Sequence, residues 1–232
     1  MSGFGERPVA GESVKGFFRN KVGLITVKGG KLPIGRAVPV TADGYYLTAW
    51  HVVDGGGFRL SNSVLSETGL RIDEYPGRIV WHDKLADLAV VKFPFRPPYL
   101  FKAGETTLVK GEPVFSGASG KNSGTLAIAP NSSGAYHLED VLKNGIGNGD
   151  FQTAGKVVAV SLHAGPPLRT VSHSTLVGRG GMSGGPVVDD KGRLVGIVTG
   201  GQATLFSPPT TSFSMLDPEA LHQMIRADRG RQ

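Results

Sequence analysis

The sequence predicts an all-β protein built from two β units in tandem and closed by one short helix. Glycine accounts for 35 of 232 residues and proline for 15, about twice the usual share of glycine, so no long helix or heptad array runs uninterrupted. Short apolar or alternating runs recur along the chain with turn signals between them. Between the two series lies Pro94-Phe95-Arg96-Pro97-Pro98, a stiff connector that neither a helix nor a central strand tolerates.

The first unit is read from Gly23–Lys28, Ile34–Thr41, Tyr45–Ala49, Arg78–His82 and Leu88–Phe93. The second is read from Glu112–Ala118, Gly124–Ala129, Lys156–His163, Pro186–Val188, Arg193–Thr199 and Thr211–Met215. Turns are marked by Ala42-Asp43-Gly44, Asp54–Gly57 and the hairpin signal Asp189-Asp190-Lys191-Gly192. The helix is predicted from its start: Asp217 as N-cap, Pro218 at the first position and Glu219 at the positive end of the dipole. Leu216 and Leu221 suit a hydrophobic staple, and Leu221, Met224 and Ile225 form one apolar stripe for packing on the β unit. Asp228–Gln232 is read as a frayed tail. The expected organisation is a single domain: a basic arm over 1–20, a first β unit over 21–93, a connector over 94–111, a second β unit over 112–216 and the helix over 217–227.

Composition narrows the chemistry. Without cysteine, disulfide scaffolds, zinc knuckles, thiolate catalysis and iron–sulfur clusters are excluded. No apolar run resembles a signal-peptide core or a membrane span, so the chain is expected to be soluble, and cytoplasmic by default. The net charge of +6 is concentrated in residues 1–36, where Arg7, Lys15, Arg19, Lys21, Lys28, Lys31 and Arg36 face only Glu6 and Glu12. Such an arm can attract RNA or anionic lipid. Aromatics are not interleaved with these cations for stacking, so a solvated segment is the favoured reading and nucleic acid the weaker partner.

Three segments carry candidate chemistry. In Gly178-Arg179-Gly180-Gly181-Met182-Ser183-Gly184-Gly185-Pro186, a serine sits among glycines that let the backbone turn its N–H groups toward a carbonyl. Other Gly/Ser stretches, such as Gly117–Gly120 and Ser132–Gly134, make that composition cheap. What sets Ser183 apart is the buried hairpin that follows, through Val187-Val188 and Leu194-Val195-Gly196-Ile197-Val198. In Tyr45-Tyr46-Leu47-Thr48-Ala49-Trp50-His51-Val52-Val53, an apolar strand delivers a histidine at its end; alone, such a histidine is more often a satisfied core residue than a catalyst. In Leu85-Ala86-Asp87-Leu88-Ala89-Val90-Val91, Asp87 opens a buried strand and needs a partner. A histidine held in one tautomer suits it. His82, His137, His163, His173 and His222 show no metal-ligand spacing, and Glu139-Asp140 and Asp189-Asp190 read as turn or surface carboxylates. No phosphate- or calcium-binding loop is present, and no cofactor or metal is implied.

In the order His, Asp, Ser, the stretches Gly44–Val53, Ala86–Val91 and Gly181–Pro186, with the strand Leu194–Gly201, resemble the chymotrypsin-like serine proteases, most closely their HtrA-like and trypsin-like bacterial branch. The resemblance spans residues 44–201 and implies two six-stranded antiparallel β-barrels with the active site between them. It implies Ser183 as nucleophile, His51 as general base and acid, and Asp87 as the group that orients the imidazole. Backbone N–H groups of Gly181 and Ser183 are implied as the oxyanion hole. Leu176, Val177 and Gly178 are expected at the floor of the first specificity pocket. Thr199 falls where the family places a small hydroxyl residue near the aspartate, and Thr199, Gly200 and Gly201 offer a strand edge to the substrate backbone. The implied activity is a serine endopeptidase working through an acyl-enzyme, with a protein or peptide as substrate.

The sequence departs from that pattern in places. Where the zymogen-activated branch has an aspartate that receives the new N-terminal ammonium, this chain has Met182. Few residues follow Asp217, so no C-terminal PDZ module is expected. Many relatives that cut after Gln or Glu have a histidine in the strand after the nucleophile, where this chain has Ile197-Val198-Thr199. With no acid in the pocket segment, cleavage after small or medium apolar residues is expected; Arg179, beside two glycines, is expected to point to solvent. Two alternatives stay open: a catalytically silent binding module on the same fold, and a viral polyprotein-processing protease with an RNA- or membrane-interacting arm.

Overall fold

In the computed structural model, residues 18, 21–27, 33–66, 69–104, 108–118, 151–163, 169–178, 181–204 and 207–231 are described. Thirteen strands follow in order: β1 Gly23–Val27, β2 Pro33–Pro39, β3 Tyr45–Ala49, β4 Phe58–Ser66, β5 Gly69–Pro76, β6 Arg78–Asp83, β7 Leu88–Lys92, β8 Pro113–Ala118, β9 Phe151–His163, β10 Arg169–Ser174, β11 Pro186–Val188, β12 Leu194–Thr204 and β13 Ser207–Leu216. Helix α1, Pro218–Arg229, ends the chain. The first seven strands form one antiparallel sheet in the order β5-β4-β1-β2-β3-β7-β6, and the last six close a barrel in the order β10-β13-β12-β11-β8-β9.

The fold is therefore all-β and of the two-barrel chymotrypsin-like kind. The first unit has one strand more than the six expected, and no ladder joins its edge strands β5 and β6. Those edges are connected through the chain itself, because β5 runs into β6 through Gly77 alone. A side chain at Gly77 would meet the Phe58 ring and stand 2.5 Å from Phe93 Cε1, so the corner can turn only over a glycine. The expected strand Gly124–Ala129 lies outside the described residues.

Strands β3 and β7 are buried on both faces, which explains their near-continuous apolar runs. Tyr45, Leu47, Leu88 and Val90 face a core shared with Val188, Leu194, Ile197, Met215 and Leu216 of the second barrel. Tyr46, Ala89 and Val91 face the interior of the first unit with Ile25, Phe58, Leu60 and Phe93. Val114, Val157, Leu176, Met182, Val187, Val195 and Phe213 fill the second barrel.

Helix α1 forms as the sequence predicts. The Asp217 carboxylate accepts from the Ala220 N–H at 3.0 Å, and Leu221 and Ile225 reach the shared core with Met224 beside them. The expected frayed tail is corrected: the helix runs to Arg229, and Asp228 is held by Tyr45 and Arg78. Among the described residues, no helix is long and apolar enough to cross a membrane.

Candidate active site

Register brings two of the candidate residues together. In the antiparallel pair β3–β7, Ala49 lies opposite Leu88, so the end of one strand and the start of the other share an edge of the sheet. His51 follows β3 in a single 3₁₀ turn, Trp50–Val52, and Asp87 immediately precedes β7. The Asp87 main-chain oxygen accepts from the Trp50 N–H at 3.0 Å. Its Oδ1 accepts from the His51 N–H at 2.9 Å, and its Oδ2 lies 2.6 Å from His51 Nδ1. A carboxylate oxygen accepts, so Nδ1 carries the ring proton and the Nε2 lone pair is left available.

Asp87 has φ +49°, the one non-glycine residue with a positive φ among those described, a conformation that aspartate tolerates better than most. The turn leading to it is organised by Asp83, whose Oδ1 accepts from the N–H groups of Leu85 and Ala86 at 2.7 and 3.1 Å. Oδ2 of Asp83 pairs with Arg169 of the second barrel at 2.5 Å. On the other side, the Trp50 indole stacks on the His82 ring, with centroids 3.9 Å apart and planes 15° from parallel.

Ser183 comes from the loop that enters β11. Gly184 N–H donates to the Val198 carbonyl, Val198 N–H to Gly185 and Gly185 N–H to Met182, each at 2.8 Å, so the loop is laced to β12 and to itself. Gly184 has φ +81°, and a Cβ there would overlap the Arg36 carbonyl oxygen and stand 2.5 Å from Thr48 Oγ1. Only glycine fits both demands. Met182 is 3% exposed and packs in the core of the second barrel, an apolar anchor where the zymogen-activated branch has its aspartate.

Strand β2 joins the two halves of the site. The Arg36 N–H donates to the Ser183 carbonyl at 2.8 Å, and Arg36 Nε donates to the Gly181 carbonyl at 2.8 Å. Thr48 Oγ1 donates back to the Arg36 carbonyl at 2.6 Å. A Cβ built on Gly35 would stand 2.6 Å from Val52 and 3.0 Å from the Ser183 carbonyl oxygen, so the residue after His51 and the main chain of Ser183 meet over one glycine. His51 and Ser183 thus share one wall. Among the described residues, no hydrogen bond joins the Ser183 hydroxyl to the His51 ring; such bonds commonly tighten only when substrate is bound.

The remaining candidates lie on the second barrel. Leu176 is fully buried in the barrel core, so its side chain supports the segment from beneath. Val177 is half exposed, and its N–H donates to Thr153 Oγ1 at 2.9 Å. Thr211, which donates to the Leu176 carbonyl at 2.6 Å, has its Oγ1 2.9 Å from where a Cβ on Gly178 would be. Thr199 sits at the irregularity in β12 between Val198 and Gly200; among the described residues, no hydrogen bond links it to Asp87. The β11 side of β12 is laddered only as far as Ile197, so no described strand pairs with that edge at Thr199–Gly201. A Cβ on Gly200 would meet nothing within 4 Å.

The reading of the sequence missed Arg36, which it counted within a solvated basic segment. The structure corrects this: Arg36 lies inside β2 and is 2% exposed, and burial pushes its pKa down to about 10. The available signal was an arginine inside the apolar run Ile34–Val38. Of the other arm cations, Lys21 lies over the Tyr99 ring at 4.3 Å, while Arg7, Lys15, Arg19, Lys28 and Lys31 lie outside the residues whose side chains are described. Arg179, His137 and Glu139-Asp140 lie outside the described residues as well. Asp189 organises its hairpin turn, accepting from the Lys191 and Arg193 N–H groups at 3.0 and 2.8 Å. Among the described residues, no cluster of His and carboxylates can hold a metal ion.

The model of the trypsin-like peptidase domain matches residues 35–197, a stretch that runs from within β2 to the first four residues of β12 and contains all three of His51, Asp87 and Ser183. No curated protein sequence matches the chain. Among solved structures, the MamO protease domain from Magnetospirillum magneticum superposes with a TM-score of 0.58 at 22% identity, over 89% of this chain and 97% of that one. An inactive form of the Rv3671c protease from M. tuberculosis gives 0.57 at 18% identity, over 96% of both chains. The HtrA-type protease AlgW, solved with a decapeptide, gives 0.57 at 19% identity, over 93% of this chain and 66% of that one. At these identities the likeness is one of fold.

Proposed function

The chain belongs to the trypsin-like peptidase family, and on that premise we propose that it is a serine endopeptidase whose working groups are Ser183, His51 and Asp87. The observation that carries the reading is the threefold hold of Asp87 on the His51 turn. It fixes the tautomer in which Nε2 can take a proton. Ser183 Oγ attacks the substrate carbonyl as His51 Nε2 takes its proton, and the N–H groups of Gly181 and Ser183 receive the developing oxyanion. Collapse breaks the C–N bond, His51 gives its proton to the departing amine, and an acyl-enzyme remains on Ser183. Water, deprotonated by His51, releases the acid and restores the serine.

The β11-side edge of β12 at Thr199–Gly201, with which no described strand pairs, supports a substrate that adds its backbone as a further strand. Val177, half exposed beside Gly178 and Thr211, supports a first pocket for small or medium apolar side chains. Each methylene there discriminates by only about 1–3 kcal/mol, so selectivity is broad. Profiling with a peptide library tests both points: cleavage after Val, Ala, Leu or Met is expected, abolished by Ser183→Ala or His51→Ala, which lose up to about 10⁶-fold because the triad acts as a unit. A profile dominated by Lys, Arg or Glu overturns the pocket assignment, and hydrolysis that survives Ser183→Ala overturns the mechanism.

A second reading, a silent module that binds peptide along β12, rests on the absence of a hydrogen bond between Ser183 and His51. Binding of library peptides without turnover is its expected outcome in the same experiment.

A further inference from the structure

We infer that Arg36 is a positioning residue for the oxyanion hole, gripping the nucleophile loop on both sides of Met182. The inference rests on the serine-protease reading above. Two carbonyls, those of Gly181 and Ser183, are held by two N–H groups of one residue: Nε at 2.8 Å and the main-chain N–H at 2.8 Å. Fixing both carbonyls fixes the peptide planes that flank the Ser183 N–H, one of the two proposed oxyanion donors. Gly181, with φ +83° and open space where a Cβ would stand, has no side chain to restrain it.

The grip is itself held. Arg36 is 2% exposed, its Cδ would lie 3.2 Å from a Cβ on Gly185, and its carbonyl accepts from Thr48 in β3, the strand that delivers His51. A pKa of about 10 still leaves the guanidinium protonated, and so able to donate, at neutral pH. With Met182 in the barrel core, an apolar anchor and a buried arginine together do what an ion pair to a freed N-terminus does in the zymogen-activated branch. In this arrangement the loop is ordered within the folded chain and needs no cleavage.

The role runs through Nε, an atom inside the side chain, so the conservative substitution is the informative one. Arg36→Lys keeps the charge but puts a methylene where Nε donates. Steady-state hydrolysis of a peptide ester by the full chain is the measurement, with thermal unfolding of each variant alongside. In Arg36→Lys, kcat is expected to fall by about 10²-fold, the scale of one oxyanion-hole donor, with KM within about threefold of the parent. Arg36→Met, which removes every side-chain donor, is expected to match it. Retention of parental kcat in a cooperatively folded Arg36→Lys or Arg36→Met protein overturns the assignment, as does an equal loss shown entirely in KM. A parent chain that does not turn over the ester, while Ser183→Ala behaves identically, overturns the serine-protease reading and this inference with it.

Discussion

The Tyr45 hydroxyl donates to Asp228 Oδ2 at 2.7 Å, tying the strand that leads to His51 to the last turn of helix α1. Arg78 completes the link, reaching the same carboxylate with both terminal nitrogens at 2.9 and 2.5 Å. Burial, reinforced by Asp228, pushes the Tyr45 pKa up to about 12. Tyr45→Phe leaves Asp228 with Arg78 and should cost about 1 kcal/mol of unfolding free energy. Asp228→Ala strands the Tyr45 hydroxyl, releases the half-exposed Arg78 to solvent, and should cost more, about 1–3 kcal/mol. Urea unfolding measures both, and an Asp228→Ala midpoint equal to the parent's would show that the helix docks through its apolar stripe alone.

Acid should weaken a neighbouring link. Arg229 pairs with Asp43 at 2.6 Å and Lys92 approaches the same carboxylate at 3.2 Å, holding its pKa far below the usual carboxylate range. The folded state therefore binds this proton less readily than the unfolded chain does. The link adds stability above about pH 4, the unfolded value, and that contribution declines as pH falls from there toward the depressed folded value. Asp43 is 43% exposed, so the contribution is at most about 1 kcal/mol. Asp43→Asn should lower the urea midpoint at pH 6, with the gap to the parent narrowing at pH 3; a gap that widens on acidification would refute the assignment.

Asp87→Asn probes the tautomer. The asparagine oxygen can still accept from the His51 N–H, which turns its NH₂ group toward Nδ1. That arrangement puts the ring proton on Nε2 and removes the acceptor that Ser183 needs. The expected result is a fold of near-parental stability with kcat lower by roughly 10⁴. Parental turnover in this variant would mean that the 2.6 Å contact between Asp87 and His51 serves packing only.

Two glycines make a controlled pair. Gly184→Ala drives a methyl into the Arg36 carbonyl at a left-handed φ and should cost about 2 kcal/mol or more, with loss of hydrolysis. Gly200→Ala adds the same methyl where nothing lies within 4 Å and should change stability by less than about 0.5 kcal/mol. Equal costs for the two substitutions would contradict the geometry of the nucleophile loop.

The sequence made some of this legible because burial leaves a pattern. Strands β3, β7 and β11 read clearly, since both faces of the first two meet a core and their apolar runs are unbroken. Strands β4, β5 and β10 did not register. In β10 the inward positions are Thr170, Ser172 and Ser174, buried between Arg169, Val171 and His173, so its period-2 alternation is written in hydroxyls rather than hydrocarbons. In β4 and β5, runs such as Asn62-Ser63 and Asp73-Glu74 masked the alternation. Helix α1 was legible at its start, where Asp217 caps it, but not at its end, because Asp228 and Arg229 are held by Arg78 and Asp43, distant in sequence. Arg36 was hidden for the same reason. Its charge suggested solvent, and only the fold brings the Gly181 carbonyl to it.

Whether Ser183 is a nucleophile activated by His51 and Asp87 is read by covalent labelling of the full chain with a fluorophosphonate, followed by intact-mass and peptide mapping. One adduct per chain is expected, on Ser183, absent from Ser183→Ala and formed far more slowly in His51→Ala and Asp87→Asn. A parent chain that takes up no label, or a Ser183→Ala chain that labels as fast as the parent, would contradict that role for Ser183.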